Sequence, residues 1–115
     1  MIYKSFKDAE LFEGATNKTY EYNIEDKDIN FCIAEISGRF PKEKWAVNRK
    51  CKEMIFVLSG EGLINVGGRE YSLKQEDVVL INPNEKYFLL GEMRLGIPCA
   101  PAWCPEQHEE VEFEK

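Results

Sequence analysis

An all-β fold, an antiparallel sandwich or jelly-roll barrel, is what the 115 residues predict, and three observations point to it. Helical periodicity is missing along the chain, short runs rich in β-branched and aromatic residues recur, and turn residues stand between them. Strands are expected at Thr19–Ile24, Asn30–Ser37, Trp45–Arg49, Glu53–Leu58, Leu63–Val66, Glu70–Leu73, Asp77–Ile81, Lys86–Leu90 and Arg94–Ile97. Their separators are Glu25 to Asp28, Gly38 with Pro41, Ser59 to Gly62, Gly67-Gly68, Asn82-Pro83-Asn84 and Gly91-Glu92. Gly67-Gly68 gives the clearest hairpin, because both residues accept the positive φ of a type I′ turn. Only Lys7 to Phe12 suggests a short helical turn. Strands so closely spaced leave no room for crossover helices.

The length suits one domain that buries a core without needing a disulfide or metal to fold. Its core is expected over residues 30–104, with N-terminal strands or an arm over 1–29 and an acidic tail over 105–115. No apolar run approaches the roughly 18 residues of a membrane helix. Charges at Lys4, Lys7, Asp8 and Glu10 interrupt the place a secretion signal would need. A cytoplasmic chain is expected, with Cys32, Cys51, Cys99 and Cys104 reduced. The net charge of −6 argues against a nucleic-acid partner, and no membrane partner is expected. The last ten residues carry −4 of that charge, whereas Arg39, Lys42, Lys44, Arg49, Lys50 and Lys52 form a basic run opposed only by Glu43. Such a run reads either as a lysine-protected strand edge or as an anion-attracting mouth.

From Glu53 to Gly62 the side chains alternate, so Glu53, Ile55 and Val57 share one face and Met54, Phe56 and Leu58 the other. With apolar residues on both faces, one face is assigned to a barrel interior and the other to a sheet or subunit contact. A homodimer through Met54, Phe56 and Leu58 is therefore expected. Glu53 opens the interior row, where a carboxylate must be paired, hydrogen-bonded or bound to metal.

Glu53 followed by six residues and Gly60 resembles the end of the first cupin motif. Leu73 to Glu92, with Asp77-Val78-Val79 inside it, is similar to the second. The resemblance spans residues 30 to 104 and implies the cupin jelly roll. The chain departs from the usual metal ligands. The first-motif histidine positions fall on Val47 and Arg49, or on Ala46 and Asn48, and the second-motif position falls on Tyr87. A three-histidine, one-glutamate centre is thus not available, and dioxygenase or oxalate-degrading activity does not follow.

A weaker similarity to ectoine synthase, a cupin with a glutamate, tyrosine and histidine iron site, implies Glu53, Tyr87 and His108 as metal ligands. It rests on Pro83 to Tyr87 and on the stretch from Cys99 to His108, while the family's further histidine position falls on Leu95. A second constellation, Cys99, Cys104 and His108 with Cys51, Cys32 or Glu106, has donors suited to zinc but no standard spacing. The lone histidine has no serine or cysteine in an activating context, and no glycine loop precedes a helix, so neither a nucleophilic triad nor a phosphate cradle is indicated. Pro101-Ala102-Trp103 suggests a stiff arm that lays an indole on the barrel end.

The sequence supports a module that binds a small polar, anionic metabolite in the barrel through Asn48, Arg49, Glu53, Tyr87 and Trp103, with no resident cofactor. The alternative is a lyase or isomerase that uses one divalent ion, Fe, Zn, Mn or Ni, with Glu53 and Tyr87 as the catalytic groups.

Overall fold

The computed structural model describes residues 1–113, so Glu114 and Lys115 of the expected tail lie outside the described residues. The strands are β1 (Glu10–Glu13), β2 (Asn17–Tyr22), β3 (Asn30–Phe40), β4 (Trp45–Asn48), β5 (Lys52–Val66), β6 (Arg69–Lys74), β7 (Val78–Ile81), β8 (Lys86–Ala100) and β9 (His108–Val111). All pair antiparallel. The sheet runs β1-β2-β3-β8-β4-β9, and β5 joins it through β8 while also pairing with β6 and β7. This curled antiparallel sheet is the jelly-roll architecture expected from the sequence. No described helix is long and apolar enough to cross a membrane.

Two of the expected strand breaks are absent. Ser59 to Gly62 and Gly91-Glu92 lie inside β5 and β8, which pair from Lys52↔Ala100 to Val66↔Tyr87. Their glycines serve close approach rather than chain reversal. Gly60 has φ +85°, and a Cβ there would stand 2.1 Å from the Glu92 carbonyl oxygen. Side chains at this crossing would drive the two strands apart, and the register shift between Val57 and Ser59 bends β5 just before it. Gly67 and Gly68, by contrast, make the expected two-residue hairpin, both with positive φ.

At the N-terminus the expected helical turn is only a 3-10 turn at Phe6–Asp8, followed by β1. The polar β1 pairs with β2, so cross-strand bonding overrides its weak strand pattern. The acidic tail is likewise no frayed end as far as Val111, because β9 pairs with β4.

Inside the barrel, Ile55, Val57, Ile64, Leu73, Ile81, Leu89, Met93 and Leu95 form a continuous apolar core. Glu53, Ile55 and Val57 point inward as the alternation requires. Met54 and Phe56 point outward and stay exposed, beside exposed Val78 and Leu80 on β7. Arg39 stacks over Phe88 at 4.1 Å and Phe113 at 5.0 Å. Those rings and Trp45 fasten the chain's far end to the barrel wall.

Candidate functional site

One end of the barrel encloses a cavity of about 240 Å³. Strand β2 contributes Asn17, Thr19 and Glu21, alternate residues that all face it, and β3 contributes Asn30, Cys32, Ala34 and Ile36. Glu53, Tyr87 and Cys99 line the cavity from β5 and β8, and Trp103 and His108 from the returning C-terminal segment.

Glu53 is 7% exposed. Tyr87 Oη lies 2.9 Å from its Oε2, while Asn48 Nδ2 donates to Oε1 at 3.2 Å and the Cys99 thiol approaches Oε1 at 3.9 Å. Burial pushes the carboxyl above its ordinary range, and these hydrogen bonds offset only part of that rise. Burial and the neighbouring Glu53 together raise Tyr87 well above a free phenol, so it stays protonated. Burial also raises the Cys32 thiol, and the Cys51 contact followed by burial raises Cys99. Neither is a thiolate nucleophile.

Asn48 joins this carboxyl to the histidine. Its Oδ1 lies 3.0 Å from His108 Nδ1 and accepts from Gln107 Nε2 at 3.0 Å and Trp103 Nε1 at 3.2 Å. The pairing of β4 with β9 places Asn48 and His108 directly opposite each other. Burial lowers the imidazole pKa, with a smaller opposing effect from Glu110, and His108 is therefore neutral at pH 7. Asn30 fixes the Trp103 backbone on both sides, accepting from its N–H at 3.0 Å and donating to its carbonyl at 3.2 Å. The indole thus sits on the barrel end, 5.6 Å from the imidazole centroid.

Glu53, Tyr87, Trp103 and His108 come together as cavity wall, and Asn48 lies behind that wall as the group holding two of them. Arg49 is elsewhere. Its guanidinium grips Glu109 at 2.9 and 2.6 Å and Asn84 at 3.2 Å, outside the cavity. The rest of the basic run is turned outward or spent locally, with Lys44 on Glu112 and Arg39 on the carbonyls of Pro41 and Lys44. Among the described residues no lysine or arginine lines the cavity, whereas Glu21 and Glu53 do. An anion-attracting mouth does not form, because the tail acids neutralise the cations that would have made it.

The donors do not fit a metal centre. Among the described residues no three His, Cys, Asp or Glu side chains converge. Both Glu53 oxygens are engaged by Tyr87, Asn48 and Cys99, and His108 Nδ1 faces Asn48. Cys104 caps the 3-10 turn Pro105–Gln107 instead of joining Cys99 and His108.

Sequence reasoning missed Gln107, which hides beside the histidine in a run of glutamates, and the polar row Asn17, Thr19 and Glu21. Alternation within β2 could have revealed that row had its partner strand been known.

Residues 36–89 match the family described as Cupin domain. No curated protein sequence matches the chain significantly. Among solved structures, Streptomyces Pac13 with uridine superposes with a TM-score of 0.89 at 18% identity, covering 100% of this chain and 95% of that one. Pac13 is described as a nucleoside dehydratase. Ectoine synthase from P. lautus gives 0.77 at 17% identity, covering 100% and 93%. A protein from Planctomyces limnophilus gives 0.75 at 16%, covering 94% and 95%. At such identities the likeness is one of fold. With the sequence match and this architecture together, the chain is a small cupin, distantly similar to the ectoine-synthase-like members.

Proposed function

We propose that the cavity takes a small, uncharged, hydroxyl-bearing molecule with a planar portion, and that its walls catalyse proton-transfer chemistry upon it, the elimination of water or an isomerisation. The observation that carries this reading is a neutral imidazole and a buried phenol–carboxyl pair lining one cation-free cavity. With Nδ1 facing the Asn48 carbonyl, the lone pair of His108 sits on Nε2, suited to remove a proton from carbon. Protonated at Oε2, Glu53 donates to Tyr87 and leaves the phenol hydrogen free for a substrate hydroxyl. The leaving hydroxyl takes that proton, Tyr87 recovers one from Glu53, and the carbon proton rests on His108. Trp103 and Phe31 supply aromatic surface, and Glu21, Asn17 and Thr19 supply acceptors for hydroxyls.

The uridine held by Pac13 recommends nucleosides as first probes. Titration calorimetry with uridine and other neutral nucleosides, against their 5′-phosphates, tests the reading. Binding of a neutral nucleoside and rejection of its phosphate is expected. Binding of the phosphate alone would restore the anionic metabolite and overturn this assignment. The same reading includes a homodimer through Met54, Phe56, Val78 and Leu80, an exposed row that carries no charge of its own. Light scattering on Phe56→Glu should then report a smaller particle than the wild type.

A further inference from the structure

We infer that Gln107 and Asn48 are positioning residues that set which nitrogen of His108 carries the proton, a role that deepens the acid–base reading proposed above. Gln107 is 4% exposed and Asn48 1%, and neither lines the cavity. Their amides form a relay whose direction is fixed from its outer end. The backbone N–H groups of Lys50 and Cys51 can only donate, and both meet Gln107 Oε1, at 3.0 and 3.2 Å. The Gln107 amide therefore cannot be turned over, and its Nε2 must face Asn48 Oδ1.

Asn48 receives a second obligate donor at that oxygen, the indole Nε1 of Trp103. Its own amide is locked in turn, with Nδ2 toward Glu53. His108 Nδ1 lies against the same Asn48 oxygen, which can only accept, so Nδ1 holds the hydrogen and Nε2 the lone pair. Backbone bonds hold the relay at both ends, Arg49 N–H to the Gln107 carbonyl and Asn84 N–H to the Asn48 carbonyl, each 2.8 Å. Two backbone N–H groups in the β4–β5 loop thereby dictate the state of a ring on β9.

The single histidine makes the test direct, since nitrogen-15 NMR of the full chain shows one imidazole. Above the ring's titration, the wild type should show Nδ1 protonated and Nε2 bare; the opposite tautomer overturns the relay. Gln107→Glu still accepts from both backbone N–H groups but puts a second acceptor against Asn48 Oδ1. Turning Asn48 then presents its NH₂ to His108, and the tautomer ratio should move toward Nε2–H by roughly tenfold, the effect of one buried mispaired group. An unchanged ratio in folded Gln107→Glu removes Gln107 from the role. Asn48→Asp keeps the acceptor and should keep Nδ1–H, whereas Nε2–H there would also overturn the inference. A chain that holds Nδ1–H and yet binds no neutral nucleoside would sink the proposed function and leave the relay standing.

Discussion

Glu53 and Ile55 are successive inward residues of β5, both buried, yet they belong to regions held by different forces. Around Ile55, Val57, Ile64 and Leu95 the interior is wholly apolar, and its cohesion comes from packing and exclusion of water. Around Glu53 the interior is a chain of amides and hydroxyls in which no buried side-chain polar atom among the described residues lacks a partner. An apolar core tolerates a change of shape at a graded cost. A saturated polar cluster tolerates almost none, because each lost partner strands another.

The largest expected effect is therefore at Asn48. Asn48→Leu removes the acceptor shared by Trp103, Gln107 and His108 and the donor to Glu53, and should cost roughly 4 kcal/mol in urea unfolding, since each stranded buried group costs about 1–3 kcal/mol and neighbouring losses do not add fully. Ile55→Ala, one step along the barrel, should cost about 3 kcal/mol through lost transfer energy and the void left behind. It should leave ligand affinity nearly unchanged. If Ile55→Ala proves the more damaging of the two, the polar end is not held by its network.

Much of this contrast was legible in the sequence, and the part that was not has physical causes. Period-two alternation placed Glu53 inward with Ile55 and Val57, because a strand has only two faces. The bend at Gly60 and Gly91 was not legible, since a glycine that ends a strand and one that lets two strands cross look alike without the partner strand. Gln107 and Asn48 were harder still. Fifty-nine positions apart, they meet only because β9 returns to pair with β4, and no local pattern records that closure. Arg49 was misassigned for the same reason, since its partner Glu109 lies on the returning strand.

A milder probe sharpens the comparison through pH. Glu53 in the fold holds its proton above the ordinary value of 4.5, so between that value and its raised pKa the native state binds more protons than the unfolded chain. Stability must then fall as pH rises through this window. His108 acts on the other side. Its folded pKa lies below 6.5, the unfolded chain binds more protons there, and stability falls as pH drops beneath 6.5. Glu53→Gln should abolish the loss on rising pH and leave the acid-side loss intact, as thermal melts across pH would record. It should also depress turnover of any eliminated substrate by about 100-fold, because the amide has no proton to return to Tyr87.

The smallest effect is expected at Arg49, four residues before Glu53 and outside the cavity. Its guanidinium sits on Glu109 and Asn84 with much of its surface in water, and exposed ion pairs of this kind contribute about 0–1 kcal/mol. Arg49→Ala should lower stability within that range, with an effect that shrinks as salt is added. Ligand affinity should change by less than about twofold, because no atom of Arg49 reaches the cavity and a screened charge beyond a Debye length adds little. Calorimetry with a neutral nucleoside and with its phosphate separates the alternatives. Should Arg49→Ala weaken the phosphate tenfold or more, the basic run serves the mouth after all, and the division between an outward charged face and a cation-free interior fails at its most exposed point.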